Sequence, residues 1–247
     1  MYCPGAPEVV DSWLVDDGRI RDLTAHVDRF TRSTGLARGL VVEHVLLLLE
    51  ELPQSGRWFP RIELCGGHVH TRTRPAPPVA HTATLVTHGP DPRRRPTVKG
   101  PDFPLQERLR TAARAAGADD ALLTDPDGHV VESVFGSVLW WQDGSLVVPR
   151  TSALLPSVTR AAVLDLENAP VRRADLRPDQ LRDADEVWLL SALHGIRTVV
   201  AVDGSPMADD GRRDHWQRRL VATARPIDHW RQVLTNIGAR PTERTSA

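Results

Sequence analysis

Lysine is nearly absent from this chain: of 31 lysine and arginine residues all but one, Lys99, are arginine. Arginine serves wherever only positive charge is needed, but guanidinium cannot lose its proton and attack a carbonyl as a primary amine can. Lys99 is therefore a candidate nucleophile, the alternative being one surface lysine retained by chance. Cysteine is scarce too. Cys3 and Cys65 alone cannot make a disulfide framework, and their scarcity fits a reducing cytoplasm. The most apolar run, residues 45–52, is too short to cross a bilayer. The opening Met1-Tyr2-Cys3-Pro4-Gly5 lacks the basic and apolar regions of a secretory leader. A net charge of −1 and a pI near 6.8 give no reason to expect nucleic acid or a membrane as partner. What remains is an ordinary globular composition, 40% hydrophobic and 26% charged, in 247 residues: enough for one large domain or two small ones.

The order of periodic segments predicts an α/β (α+β) chain in two parts. A hairpin is expected over residues 9–23 around Asp16-Asp17-Gly18, then a short helix with Thr24 as its cap and His26, Arg29 and Phe30 inside it. A second helix is expected over 38–52, followed by strands at 58–65, 68–74 and 82–88. Residues 1–90 read as a small N-terminal α+β domain and the Pro- and Arg-rich residues 91–98 as a linker with Arg93, Arg94 and Arg95 in solvent. Residues 99–247 read as a larger mixed-sheet domain. Asp102 would cap a helix over 103–116; strands follow at 121–124, 130–132, 137–142, 145–148, 186–190 and 198–202, with Ser157 opening another helix and two more near the C-terminus.

Several linked segments resemble one family. From Gly117 the chain runs GADDALLTDPDGHVVESVFGSVLWWQDGSLVVPRTSALLPSVTR, with a lysine and a helix upstream, an "ADEALLLD"-like strand, a glutamate strand, a hairpin and an "LPGITR"-like helix start. Residues 185–204, DEVWLLSALHGIRTVVAVDG, are similar to an "NALRGI-PV" segment, and His26-Val27-Asp28-Arg29-Phe30 to an "EHLDRL" helix. In this order they resemble class IV aminotransferases, the fold-type IV enzymes of pyridoxal 5′-phosphate (PLP) that include branched-chain and D-amino-acid aminotransferases and 4-amino-4-deoxychorismate lyase.

The resemblance implies a fold-type IV architecture, a homodimer and a small amino-acid-type substrate. It implies that Lys99 carries PLP through a Schiff base and then moves the proton, with Glu132 against the pyridine nitrogen. Phosphate donors would be Val158 and Thr159 at a helix start, Arg29 as the cation, and Ser191 and Ala192 from the second segment, with Leu155 packed on the ring. The Ser191-Ala192-Leu193-His194-Gly195-Ile196 run is more similar to the lyase than to the "GTAAE" of branched-chain enzymes, although the cofactor residues serve lyase and transaminase alike.

The sequence departs from the family at the N-terminal opening, at Gly100-Pro101-Asp102-Phe103 after the lysine, and at Ser157, where glycine is common. Three rivals stand beside this reading. His68-x-His70 with His81 and His88 could offer metal ligands, but no spacing fixes a third, so no metal is expected. A non-catalytic family member would not need the one lysine. A nucleic-acid role rests on Arg93, Arg94 and Arg95 alone.

Overall fold

The computed structural model describes residues 6–166 and 171–238; Cys3 and the absence of a leader at Met1–Gly5 lie outside them. The chain starts in one compact unit, builds a second, and returns to the first. Strands β1 (Val9–Ser12), β2 (Val15–Asp16) and β3 (Arg19–Ile20) are followed by helices α1 (Leu23–Thr34) and α2 (Arg38–Glu51), then β4 (Arg57–Trp58), β5 (Arg61–Cys65) and β6 (His68–Arg72).

The β2–β3 hairpin turns on Asp17 and Gly18, both at positive φ (44° and 69°), as a two-residue hairpin loop requires. Helix α1 buries Leu23, His26, Val27 and Phe30, the i, i+3, i+4, i+7 stripe of a core-facing helix. It ends at Gly35, whose left-handed backbone (φ 70°) lets its N–H reach the Thr31 carbonyl. Its start lies at Asp22 rather than at the expected Thr24. Cys65, closing β5, is buried and is not a free thiol.

The second unit holds β7 (Thr82–Pro90), α3 (Phe103–Ala115), β8 (Asp120–Thr124), β9 (Val130–Ser133), β10 (Ser137–Gln142), β11 (Ser145–Pro149), α4 (Val158–Leu166), β12 (Arg172–Ala174), β13 (Glu186–Ser191), β14 (Gly195–Val202), β15 (Ser205–Pro206) and α5 (Arg212–Ala222). One mixed sheet runs β12-β11-β10-β13-β14-β7-β8-β9, with β15 paired to β14. Pairing is parallel at β12–β11, β14–β7 and β7–β8 and antiparallel elsewhere.

Both faces of the central strands are covered, so they read as continuous apolar runs whose alternate residues serve different cores. Val138 and Trp140 of β10 join Val187 and Leu189 of β13 on one face. Leu139, Trp141, Trp188 and Leu190 meet Val163 of α4 and Trp216 and Leu220 of α5 on the other. Each such fully buried side chain contributes about 1.5–3 kcal/mol. Helix α3 sets Ala113 against Ala121, Leu123 and Val134.

The chain then returns through β16 (Arg225–Pro226) and α6 (Ile227–Gly238). Strand β16 pairs with β3, Ile227 N–H donates to the Gly18 carbonyl, Trp230 Nε1 to the Ile20 carbonyl and Arg231 to the Leu49 carbonyl. The division therefore differs from the expected domains of 1–90 and 99–247. The first unit takes residues up to 77 and those from 223; the second takes 78–222. Strand β7 belongs to the larger sheet because it lies between β14 and β8. Residues 91–98 are no linker: Asp91 N–H bonds to the Thr124 carbonyl, and Arg93, expected in solvent, has a side chain only 4% exposed. Arg94 and Arg95 are exposed as expected.

Among the described residues, no helix is long and apolar enough to cross a membrane.

Candidate active site

In the second unit the chain between β7 and α3 is braced at both ends before it delivers Lys99. At one end, Asp91 accepts from Arg93 four times: from its backbone N–H (3.0 Å), from Nε at both oxygens (2.9 and 3.1 Å) and from Nη2 (2.6 Å). At the other, Asp102 turns its carboxylate back onto the N–H groups of Arg94 (3.3 Å) and Arg95 (3.0 Å) instead of capping α3 with its side chain, as expected. Gly100 follows the lysine at φ 133°, where a side chain is strained. Lys99 itself is half-buried, its Nζ 5.6 Å from the centre of the Phe103 ring. That ring in turn meets Phe135 edge-on at 6.0 Å.

Glu132 stands on β9 opposite Leu123 of β8, with its side chain 4% exposed. Arg93 Nη1 donates to Glu132 Oε1 at 2.6 Å, and the Leu155 N–H approaches the same oxygen at 3.4 Å. All hydrogen bonds of Glu132 among the described residues go to Oε1, which leaves Oε2 as the open acceptor of a buried carboxylate. Burial pushes the Glu132 carboxyl above the usual range; the Arg93 charge and hydrogen bond, the Leu155 N–H and the Arg160 charge act against that. Arg93, between two carboxylates, stays protonated.

Leu155 links this carboxylate to the next element. Its carbonyl accepts from Arg160 Nη2 at 3.0 Å, and Arg160 lies in the first turn of α4. Ser157 caps that helix: its hydroxyl accepts the Arg160 N–H at 3.2 Å and its carbonyl the Ala161 N–H at 3.0 Å. The N–H groups of Val158 and Thr159 and the Thr159 hydroxyl have no partner among the described residues. Two backbone donors and a hydroxyl at a helix start suit an anion.

Ser191 and Ala192 lie in the β13–β14 turn. Ser191 Oγ accepts the His194 N–H at 3.2 Å. Gln217 of α5 holds the far side of the turn, accepting the Ile196 N–H at 2.9 Å and donating to the His194 carbonyl at 3.3 Å. Gly195 has φ 69°, and a Cβ there would collide with Gln217.

Arg29 belongs to the first unit, buried in α1, where its Nε and Nη2 meet the two oxygens of Asp11 at 2.8 and 2.7 Å. Thus the second unit joins Glu132, Leu155 and the start of α4 through direct hydrogen bonds, and its 91–99 segment carries Lys99. Sequence reasoning missed Arg93, Asp91 and Gln217. The available signal for Arg93 was its place six residues before the sole lysine, next to a proline-spaced aspartate.

Among the described residues, only Asp125, Asp127 and His129 of the β8–β9 turn come close enough to share an ion, and they lie in a solvent-facing turn closed by Asp125 on His129. His68, His70, His81 and His88 form no such group.

The family described as Amino-transferase class IV matches residues 8–202. Branched-chain-amino-acid aminotransferase-like protein 1 of Arabidopsis thaliana is 30% identical over 95 residues, 37% of this chain and 17% of the relative. The aminodeoxychorismate lyase of Vibrio harveyi is 28% identical over 102 residues, 39% of this chain and 38% of the relative. The matches thus span well under two thirds of those curated relatives. A fold IV-transaminase from Curtobacterium pusillum superposes with a TM-score of 0.75 at 21% identity, covering 87% of this chain and 83% of the other. A putative 4-amino-4-deoxychorismate lyase from Legionella pneumophila superposes at 0.74 with 20% identity, covering 88% and 91%. At those identities the likeness is one of fold, and the fold is the expected one. The family match covers most of the chain, so this protein belongs to the class IV aminotransferase family.

Proposed function

We propose that this chain is a PLP enzyme acting on an amino-acid-type substrate, with Lys99 carrying the cofactor. The observation that carries the reading is Glu132: a buried carboxylate with one oxygen fixed by Arg93 and the other open. Its chemistry fits the ring nitrogen of PLP, and the open N–H groups of Val158 and Thr159 fit the phosphate. When bound, PLP supplies an aldehyde for an amine and an electron sink for the carbanion left when a Cα proton departs.

The residues divide that work. Lys99, the only side-chain amine of the chain, would hold the cofactor aldehyde and would serve as the base that takes the Cα proton and the acid that returns one. Glu132 Oε2 would accept from the ring nitrogen and keep it protonated, and Leu155 would pack on the ring. Val158, Thr159, Ser191 and Ala192 would supply phosphate donors; for Arg29, paired with Asp11 in the first unit, a role as cation rests on the family resemblance alone. A positioned acid–base group contributes typically about 10²–10⁴-fold in rate.

Within the family we place the chain in the lyase branch, which releases 4-aminobenzoate and pyruvate from aminodeoxychorismate, because of the Ser191-Ala192-Leu193-His194-Gly195-Ile196 turn. A homodimer and a cytoplasmic setting belong to the same reading.

The test is the visible spectrum of the purified chain with added PLP, beside Lys99→Ala. A band from covalently held cofactor, present in the first and missing from the second, is expected. No band in either protein would leave a non-catalytic family member. Pyruvate from aminodeoxychorismate without any 2-oxo acid supports the lyase; turnover that requires a 2-oxo acid acceptor makes it a transaminase instead.

A further inference from the structure

We propose that Arg93, anchored by Asp91, is the positioning residue that sets both the direction and the charge of Glu132. This rests on the assignment of Glu132 as the partner of the PLP ring nitrogen. The three side chains form a buried row of alternating charge: Asp91 (12% exposed), Arg93 (4%) and Glu132 (4%). Arg93 spends Nε and Nη2 on Asp91 and gives Nη1 to Glu132 Oε1 at 2.6 Å. A planar guanidinium held at two of its corners has its third aimed, which a lysine ammonium would not achieve.

Two consequences follow for Glu132. Its Oε1 is occupied, so the one acceptor left to a ring nitrogen is Oε2. Its ionised form has a permanent cation beside it, in a place where burial alone would favour the neutral acid. A neutral carboxylic acid could not stabilise a protonated pyridine, so the cation protects the charge the ring needs. Asp91 matters in the opposite sense: its negative charge moderates that of Arg93, so the row does not cancel Glu132 altogether. The other charged group acting on Glu132 is Arg160 of α4, whose Nη2 is engaged by the Leu155 carbonyl.

A purely structural ion pair would shift the Glu132 titration as well but would leave PLP affinity unchanged in Arg93→Met. Both quantities are read, and an unchanged affinity overturns the proposal. The experiment therefore follows the carboxyl itself in the full chain without added PLP, by ¹³C NMR of glutamate-labelled protein, with the signal assigned by its loss in Glu132→Gln. In Arg93→Met the midpoint of Glu132 is expected to rise by about one pH unit or more, since burial then acts unopposed. Arg93→Lys should return it most of the way. Asp91→Asn should move it down or leave it in place, since it removes a negative neighbour and keeps the cation. PLP affinity, read as dissociation of the visible band, should fall at least about tenfold in Arg93→Met, a loss equal to about 1.4 kcal/mol.

An unchanged midpoint in Arg93→Met, or shifts of the same sign in Arg93→Met and Asp91→Asn, would overturn the proposal. Should Arg93→Met not fold, the Asp91→Asn and Arg93→Lys midpoints carry the decision, and an upward shift in both defeats it. The titration needs no cofactor. A chain lacking the Lys99-dependent band thus defeats the PLP reading while the NMR result stands by itself.

Discussion

Asp11 receives Arg29 through two parallel hydrogen bonds, Nη2 to Oδ1 at 2.7 Å and Nε to Oδ2 at 2.8 Å, while His26 Nδ1 meets the same Oδ1 at 2.7 Å. Asp11 is fully buried. Burial alone would raise its carboxyl, but the Arg29 charge and then His26 outweigh it and hold Asp11 well below the usual carboxylate range. Removing one partner of such a pair leaves the other charge buried and uncompensated.

Asp11→Asn is therefore expected to destabilise the protein by about 3–5 kcal/mol at neutral pH, measured by urea unfolding. The pH dependence has a definite sign. A carboxyl with a depressed folded-state value contributes its stability above its unfolded value, near about 4, and loses it as pH falls toward the folded one. The gap between wild type and Asp11→Asn should thus narrow below about pH 4. A constant gap down to about pH 2.5 would show that Asp11 is not held ionised.

Gln217 clamps the turn that presents Ser191 and Ala192, although it sits on α5 and reaches only the turn's backbone. Gln217→Ala removes two hydrogen bonds, at about 1 kcal/mol each. The measurable sequel is a several-fold weaker hold on PLP in a spectral titration. Full PLP affinity together with the stability loss would separate this turn from the phosphate.

The hydroxyl of Thr159 has no hydrogen-bond partner among the described residues, so Thr159→Val should leave the melting temperature nearly unchanged. If that hydroxyl donates to phosphate, the same variant loses about 1 kcal/mol of binding, a factor of roughly five in the PLP dissociation constant. Equal affinity in both proteins would remove the side chain from the site and leave only the backbone N–H groups.

Gly136 follows the glutamate strand and packs directly on β13: a Cβ there would stand 2.6 Å from Leu189 Cδ1 and 3.0 Å from the Leu190 carbonyl. The leucine tip can move but the carbonyl cannot, so Gly136→Ala should cost about 1–3 kcal/mol. Thermal unfolding reads this directly; an unshifted transition would mean that the β9–β10 turn moves off β13 without penalty.

Much of this was legible before any coordinates. Strands β10 and β13 were expected from their runs of strand-forming residues, and Ser157 announced the start of α4, because such patterns and caps are local properties. Strand β12 was invisible: Arg172-Arg173-Ala174 has no apolar alternation and is a strand only because β11 pairs with it. Helix α6 was read as a helix, but nothing in its periodicity says that it packs with α2 and β3 and not with its neighbours in sequence. The same limit explains Arg93. In a run of three arginines the default is solvent, and only its meeting with Glu132, 39 residues away, overrides that default.

The return of the chain at β16 and α6 has a consequence for how the protein is made. A ribosome delivers residues 78–222 in full before Ile227 exists, so the larger sheet is the first body able to complete its contacts. Strands β1 to β6 are translated earlier yet must wait for the last helix, with Ile20 and Leu49 lacking the donors that Trp230 and Arg231 later supply. Of the two units, the one whose synthesis starts first is thus the one completed second.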